Sequence, residues 1–176
     1  MSSEIHKILF TEAQIEEKIE ELAAKITEDY RERDLVLIGV LKGANVFMSD
    51  LMRKIKLPVS IDFIAVSSYG LATESSGVVR ILKDLDHSIE GKDILIIEDI
   101  IDSGLTLHYL HHNLLSRKPN SFKICALLDK PERRKVEINV DYKGFDIPDE
   151  FIVGYGIDYA EKYRNLPFIA ILDKSV

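Results

Sequence analysis

An α/β fold, with a mostly parallel central sheet covered by helices on both faces, is what this sequence predicts, and three features predict it. Strand-type and helix-type segments alternate along most of the chain, the pattern that builds parallel sheets through helical crossovers. Two runs, DLVLIGV from Asp34 and DILIIED from Asp93, are apolar without polar alternation, as in strands buried on both faces. Each leads through a glycine-bearing loop into a helical pattern. At 176 residues, 46% hydrophobic and 30% charged, the chain suffices for one sizeable core and falls short of two ordinary domains.

The elements follow in order. Thr11 and Gln14 stand at capping-box spacing, Phe10 can staple onto Ile15, and Ile15, Ile19, Leu22 and Ile26 recur at helical intervals. The first helix is therefore expected from Glu12 to near Arg31. DLVLIGV is the first strand, and LKGANVFMSDLMRKI turns through Gly43 into a helix that must stop before Pro58. VSIDFIAVS alternates as a strand, SSYGLATESSG is small and polar enough for a loop, and VVRILK resumes strand character. After a turn near Gly91 come the strand DILIIED, a loop DIIDSG and a helix TLHYLHHNLLSRK that ends before Pro119. FKICALL is the next strand. From Asp129 the pattern breaks into a polar loop, DKPERRK, and two short strands, FIVGYG and PFIAIL. Ligands of such sheets bind outside the carboxyl ends of the strands, so the loops there are where function is expected.

Composition excludes several classes. With 23 Lys and Arg against 30 Asp and Glu, the net charge of −7 disfavours wrapping of nucleic acid. The single cysteine, Cys125, lies in an apolar run, which excludes an intrachain disulfide and fits a buried thiol in a reducing compartment. No stretch has the apolar length of a signal peptide or a bilayer span, so a cytoplasmic protein without a membrane partner is expected.

The richest stretch is IIEDIIDSGLT, Ile96 to Thr106. A buried strand brings Glu98 and Asp99 to its carboxyl end, and a short loop containing Asp102 then opens a helix. Solvated loop charges and a Ser103 or Thr106 helix cap would be the plain account. A functional account explains more residues. Gly104 lets backbone approach a ligand, and the amides of Ser103, Gly104, Leu105 and Thr106, with two hydroxyls, make an anion cradle at the positive end of a helix. A phosphate beside Glu98 and Asp99 needs something between, and the vicinal hydroxyls of a ribose can donate to the carboxylates. Acid pair and cradle together suggest a ribose 5-phosphate.

On these residues the chain resembles the purine phosphoribosyltransferases, whose signature EDIIDSGLT closely matches. The likeness extends through LIGVLKGA, SSYG, LLDKPERRK and FIVGYGIDYAEKYRNLP, in family order. It implies the type I phosphoribosyltransferase fold, with a small hood built from the N-terminal segment and roughly residues 145–176 on a single domain spanning 1–176. It further implies transfer from 5-phosphoribosyl 1-pyrophosphate to a purine base, with magnesium, in a homodimer or homotetramer.

By the same resemblance Glu98 and Asp99 hold the ribose hydroxyls and help position magnesium, and Asp102 to Thr106 bind the 5-phosphate. Asp102 matches the general acid/base at purine N7, where a proton must be managed as the glycosidic bond forms. Leu41, Lys42 and Gly43 match the pyrophosphate loop, which commonly has a cis peptide between the first two, and Arg164 matches an arginine reaching pyrophosphate. Lys130, Phe151, Ile152 and Asp158 match base recognition, through a donor to the 6-oxo oxygen, a stacking ring and a backbone contact; Asp158 also matches a metal ligand. A donor at that oxygen disfavours adenine. Ser68 and Tyr69 match the tip of a closing lid, although an ordinary hairpin tip reads the same way. Position 105 is Leu where some members carry a basic residue, which the backbone cradle does not require.

Other signals carry less. His108, His111 and His112 share helical faces, but a zinc site needs further ligands and no HExxH is present. DLDHS faintly echoes an aspartyl phosphatase without its partners, and neither GxGxxG nor GxxxxGK[ST] occurs. KPERRK is a short basic run in an acidic chain. The alternative from another class is a nucleotide-sensing RNA-binding regulator on the same fold, which would need an extended basic face.

Overall fold

The computed structural model describes residues 5–67 and 79–173. Along them run β1 (Ile5–Phe10), α1 (Glu12–Asp29), β2 (Leu35–Leu41), α2 (Ala44–Lys54), β3 (Ser60–Ser67), β4 (Arg80–Lys83) and β5 (Asp93–Ile101). Then follow α3 (Leu105–Leu115), β6 (Ser121–Asp129), β7 (Tyr142–Asp146), β8 (Ile152–Val153) and β9 (Ile169–Leu172). Six strands form the main sheet in the order β4-β3-β2-β5-β6-β7, and β1-β9-β8 form a second sheet. In the main sheet only the β3–β4 pairing is antiparallel; the second sheet is antiparallel throughout.

The near-continuous apolar character of β2 and β5 follows from their position. Leu35 and Leu37 of β2, with Leu95 and Ile97 of β5, pack under α1 and α2 on one face. Val36 and Ile38, with Ile94 and Ile96, pack under α3 on the other. Strands covered twice have no solvent side on which polar residues could alternate. Cys125 on β6 is fully buried, and burial alone pushes its thiol pKa up, the behaviour of a structural cysteine.

Helix α1 begins as its capping box predicts, with the Thr11 hydroxyl accepting from the Gln14 amide and the Gln14 side chain accepting from the Thr11 amide. Ile15, Ile19, Leu22 and Ile26 are its buried stripe. Phe10 stacks on Phe145, with ring centroids 3.9 Å apart. Thr11→Ala is expected to cost about 1 kcal/mol and to lower Tm by roughly 2–4 °C in a thermal melt; an unchanged Tm would mean the helix end contributes nothing.

The structure corrects several boundaries. β5 continues two residues beyond the expected DILIIED, through Ile100 and Ile101, so the loop is only Asp102 to Gly104. FIVGYG contributes just Ile152 and Val153 to a strand, because Gly154, Tyr155 and Gly156 take φ values of 100°, 51° and 95° that no strand tolerates. Strands β1 and β7 carry no alternation that announces them. β1 is mostly exposed and held through irregular pairing with β9. β7 lies at the sheet edge and includes Gly144, where a Cβ would stand 2.3 Å from the Leu127 carbonyl. Ser68 and Tyr69 lie outside the described residues.

Candidate active site

From β2 the main sheet grows through β3 and β4 in one direction, and from β5 through β6 and β7 in the other. The helices that follow β2 and β5 lie on opposite faces. A crevice therefore opens between the carboxyl ends of β2 and β5, the switch point where open α/β sheets hold ligands.

The first wall of the crevice is the loop Leu41, Lys42 and Gly43, with a cis peptide between Leu41 and Lys42 as the resemblance implied. Gly43 touches the buried acid pair: a Cβ there would stand 1.8 Å from Asp99 Oδ2. Its carbonyl lies against Gly156, where a Cβ would stand 2.3 Å away. Gly156 in turn exchanges two hydrogen bonds with Arg164, its amide donating to the Arg164 carbonyl at 2.9 Å and its carbonyl accepting from Nη1 at 2.8 Å. Asp99, Gly43 and the Gly156–Arg164 segment are thus brought together from three distant places in the sequence.

The second wall is Asp102 to Thr106. Gly104, at φ 84°, is the N-cap of α3 and no side chain caps that helix. The first-turn amides of a helix lack carbonyl partners within it, and among the described residues a side chain meets only the amide of Leu105, through Ser103 Oγ at 3.3 Å. The carbonyls of this loop are engaged elsewhere: that of Asp102 by Arg134 at 3.3 Å, and that of Ser103 by the Lys135 amide at 2.9 Å. The amide side is what the loop offers an anion.

The third wall follows β6. Lys130, buried, donates from Nζ to the Glu150 carbonyl at 2.7 Å, beside half-exposed Phe151, whose ring meets that of Tyr159 edge-on. Ile152 is buried in β8 opposite Ile171. Arg133 spans from Asp102 Oδ1, 2.9 Å from its Nε, to Asp149 Oδ2, 3.5 Å from its Nη1, so the Asp102 carboxylate is tied to the loop carrying Phe151.

The scaffold of a phosphoribosyl transferase domain matches residues 7–160 of this sequence. This chain belongs to that family. Among its relatives, the hypoxanthine-guanine phosphoribosyltransferase of Bacillus subtilis is 54% identical over 176 residues, which is 100% of this chain and 98% of that one. A bifunctional TilS/HprT protein of Listeria monocytogenes is 52% identical over all of this chain, which spans 27% of its length. A crystal structure of a Bacillus anthracis hypoxanthine-guanine phosphoribosyltransferase superposes with a TM-score of 0.91 at 56% identity, covering 97% of this chain and 98% of the other.

In this phosphoribosyltransferase the electrostatics of the crevice centre on Glu98 and Asp99. Burial, and then the negative Asp99 alongside, holds the Glu98 carboxyl well above its ordinary range; burial raises Asp99 as well. Between the ordinary glutamate value of 4.5 and the raised one, the folded protein keeps a proton that the unfolded chain has released. Stability from this group therefore falls as pH rises through that window. Glu98→Gln, which cannot titrate, is expected to raise the Tm of the ligand-free protein by roughly 2–4 °C at pH 8 and to flatten its decline from pH 5. A lower Tm with the slope intact would show that the pair is ionised and satisfied in the folded protein.

Asp158 is placed differently from the acid pair. Its Oδ1 is 3.1 Å from Arg164 Nη2 and its Oδ2 accepts from the Glu161 amide at 2.8 Å, and no three acidic, histidine or cysteine side chains gather into a metal-binding group among the described residues. Of the α3 histidines, His108 lies in the first turn, its amide donating to the Gly104 carbonyl at 2.9 Å, and its own carbonyl is 2.9 Å from His112 Nδ1.

Sequence reasoning missed Arg133 and Glu161. Arg133 reaches 31 positions back to Asp102, and Glu161 meets Lys42 across 119 positions, pairings that no local pattern marks.

Proposed function

We propose that this chain is a purine salvage enzyme that joins hypoxanthine first, and guanine second, to the ribose of 5-phosphoribosyl 1-pyrophosphate, releasing pyrophosphate and IMP or GMP. The observation that carries this reading is the packing of Asp99 on Gly43 beside the open amides at the start of α3. It supports reading Glu98 and Asp99 as a diol-binding pair between a cradle for one phosphate and two cations for a pyrophosphate, Lys42 from the loop after β2 and Arg164 from the segment between β8 and β9.

In this reading Glu98 and Asp99 accept hydrogen bonds from the ribose hydroxyls, while the amides and hydroxyls from Ser103 to Thr106 hold the 5-phosphate. A purine nitrogen attacks the anomeric carbon, the bond to the pyrophosphate oxygen breaks, and the N7 proton passes to Asp102 once Arg133 releases it. Lys130 exchanges the Glu150 carbonyl for the 6-oxo oxygen, Phe151 stacks on the base, and the Ile152 backbone meets its opposite edge. The hard oxygens of Glu98 and Asp99 fit magnesium, which takes one or two carboxylates and completes its shell with waters and phosphate oxygens; Asp158 would join only after leaving Arg164. Magnesium, when bound, would supply charge neutralisation on the departing pyrophosphate.

A panel assay with hypoxanthine, guanine, xanthine and adenine tests the reading. Turnover with the 6-oxopurines and little with adenine is expected, with Lys130→Gln narrowing the difference; equal turnover of adenine would overturn the assignment of the base site. The RNA-binding alternative gains nothing from the loop cations, since Arg133 and Arg134 are paired with Asp102 and Asp129. A cytoplasmic location is supported by the lone buried thiol. Assembly as a homodimer or homotetramer completes the proposal, and light scattering that finds only monomer would contradict it.

A further inference from the structure

We propose that Glu161 is a resident anion of the pyrophosphate site, a carboxylate that occupies the two cations of that site and yields to pyrophosphate on binding. Its Oε2 is 2.9 Å from Lys42 Nζ and its Oε1 is 3.4 Å from Arg164 Nη2, so one carboxylate bridges the cations from two different loops. The turn that presents it is built for that placement. The Glu161 amide is anchored to Asp158 Oδ2 at 2.8 Å, and Ala160, Glu161 and Tyr163 all take left-handed φ values of 51°, 63° and 77°. Non-glycine residues adopt that region at a cost, and three in four positions persist only where the surroundings impose them.

The bridge is strong enough to position and weak enough to leave. The Lys42 and Glu161 side chains are 69% and 67% exposed, and pairs so placed contribute little against water. A pyrophosphate carries more charge than one carboxylate and presents oxygens to both cations at once, so it wins the exchange. Arg164 is held by the Gly156 carbonyl at 2.8 Å and by Asp158 at 3.1 Å, so the part of Glu161 is to tether Lys42 beside it and, after the reaction, to compete for both cations with the departing product. Glu161 is thus a positioning residue that tunes the hold on pyrophosphate, and the inference rests on reading Lys42 and Arg164 as its ligands.

The test is calorimetric binding of inorganic pyrophosphate with magnesium to the intact chain and to Glu161→Gln and Glu161→Asp. Glu161→Gln is expected to bind roughly three- to tenfold more tightly at low salt, with the gain shrinking as salt rises. In steady state, KM for 5-phosphoribosyl 1-pyrophosphate falls by a similar factor while kcat does not rise. Glu161→Asp separates contact from distant field: one methylene shorter, it cannot reach both cations and should follow the Gln variant. An Asp variant that binds like the unaltered protein, or a Gln variant that binds no more tightly, overturns the role of Glu161. Failure of the unaltered protein to bind pyrophosphate would instead overturn the assignment of Lys42 and Arg164.

Discussion

Asp102→Asn is expected to lower kcat by about 10²- to 10⁴-fold, the range typical of losing a general base, while nucleotide 5′-monophosphate still binds. The amide keeps the shape of the carboxylate and can still accept from Arg133, whose Nε lies 2.9 Å from Oδ1, but it cannot take the N7 proton. Binding survives because the cradle is made of main-chain amides at the start of α3, which the substitution does not touch. Stability should change by less than about 1 kcal/mol, since the Asp102–Arg133 pair is half exposed. Single-turnover rates beside calorimetric nucleotide affinities separate the two effects. A loss of only a few-fold in rate would place the proton transfer on another group.

Gly43→Ala is expected to lower kcat/KM by at least about 100-fold, although the residue bears no side chain and contributes no charge. Its backbone is ordinary right-handed helical, φ −58° and ψ −39°, so alanine brings no conformational strain. What it brings is a Cβ placed 1.8 Å from Asp99 Oδ2. Either the carboxylate or the loop must move by about 1 Å or more, and displacements of that size cost on the order of 100-fold in rate when they disturb reacting groups. Because Asp99 and Glu98 share one buried pocket, shifting one also alters the ionisation of its neighbour. Gly91→Ala is the matching control. It is strained by its φ of 76° but has open space around it and lies at the turn before β5, far along the strand from the crevice, so it should cost stability without touching kcat/KM. Equal activity of the two variants would show that the contact between Gly43 and Asp99 has no catalytic consequence.

How much of this was legible in the sequence depended on whether the decisive interaction was local. Helix α1 is written in its capping box and apolar spacing, and β2 and β5 in their lack of polar alternation, because each signal is confined to one element. The strand–loop–helix passage through Asp102 to Thr106 was legible for the same reason: strand, glycine and helix start are consecutive. β1 and β7 were not, since an edge strand with mixed burial leaves no period to read. Nor could spacing show that Gly43 lies on Asp99, that Gly156 lies on Gly43, or that Glu161 bridges Lys42 and Arg164. Those contacts exist only after the sheet orders its strands and the chain's last segment folds back over the crevice. Phe151 illustrates the opposite hazard: its apolar neighbours suggest a core ring, yet it is half exposed beside Tyr159, where a base could stack.

The central claim is that the crevice between β2 and β5 transfers a phosphoribosyl group to a 6-oxopurine. Its most direct test is pyrophosphate release from 5-phosphoribosyl 1-pyrophosphate by the purified chain with magnesium and hypoxanthine. Continuous release, equal to the hypoxanthine consumed and absent without it, is the predicted result. Binding of 5-phosphoribosyl 1-pyrophosphate without any release, with every 6-oxopurine present, would contradict the account.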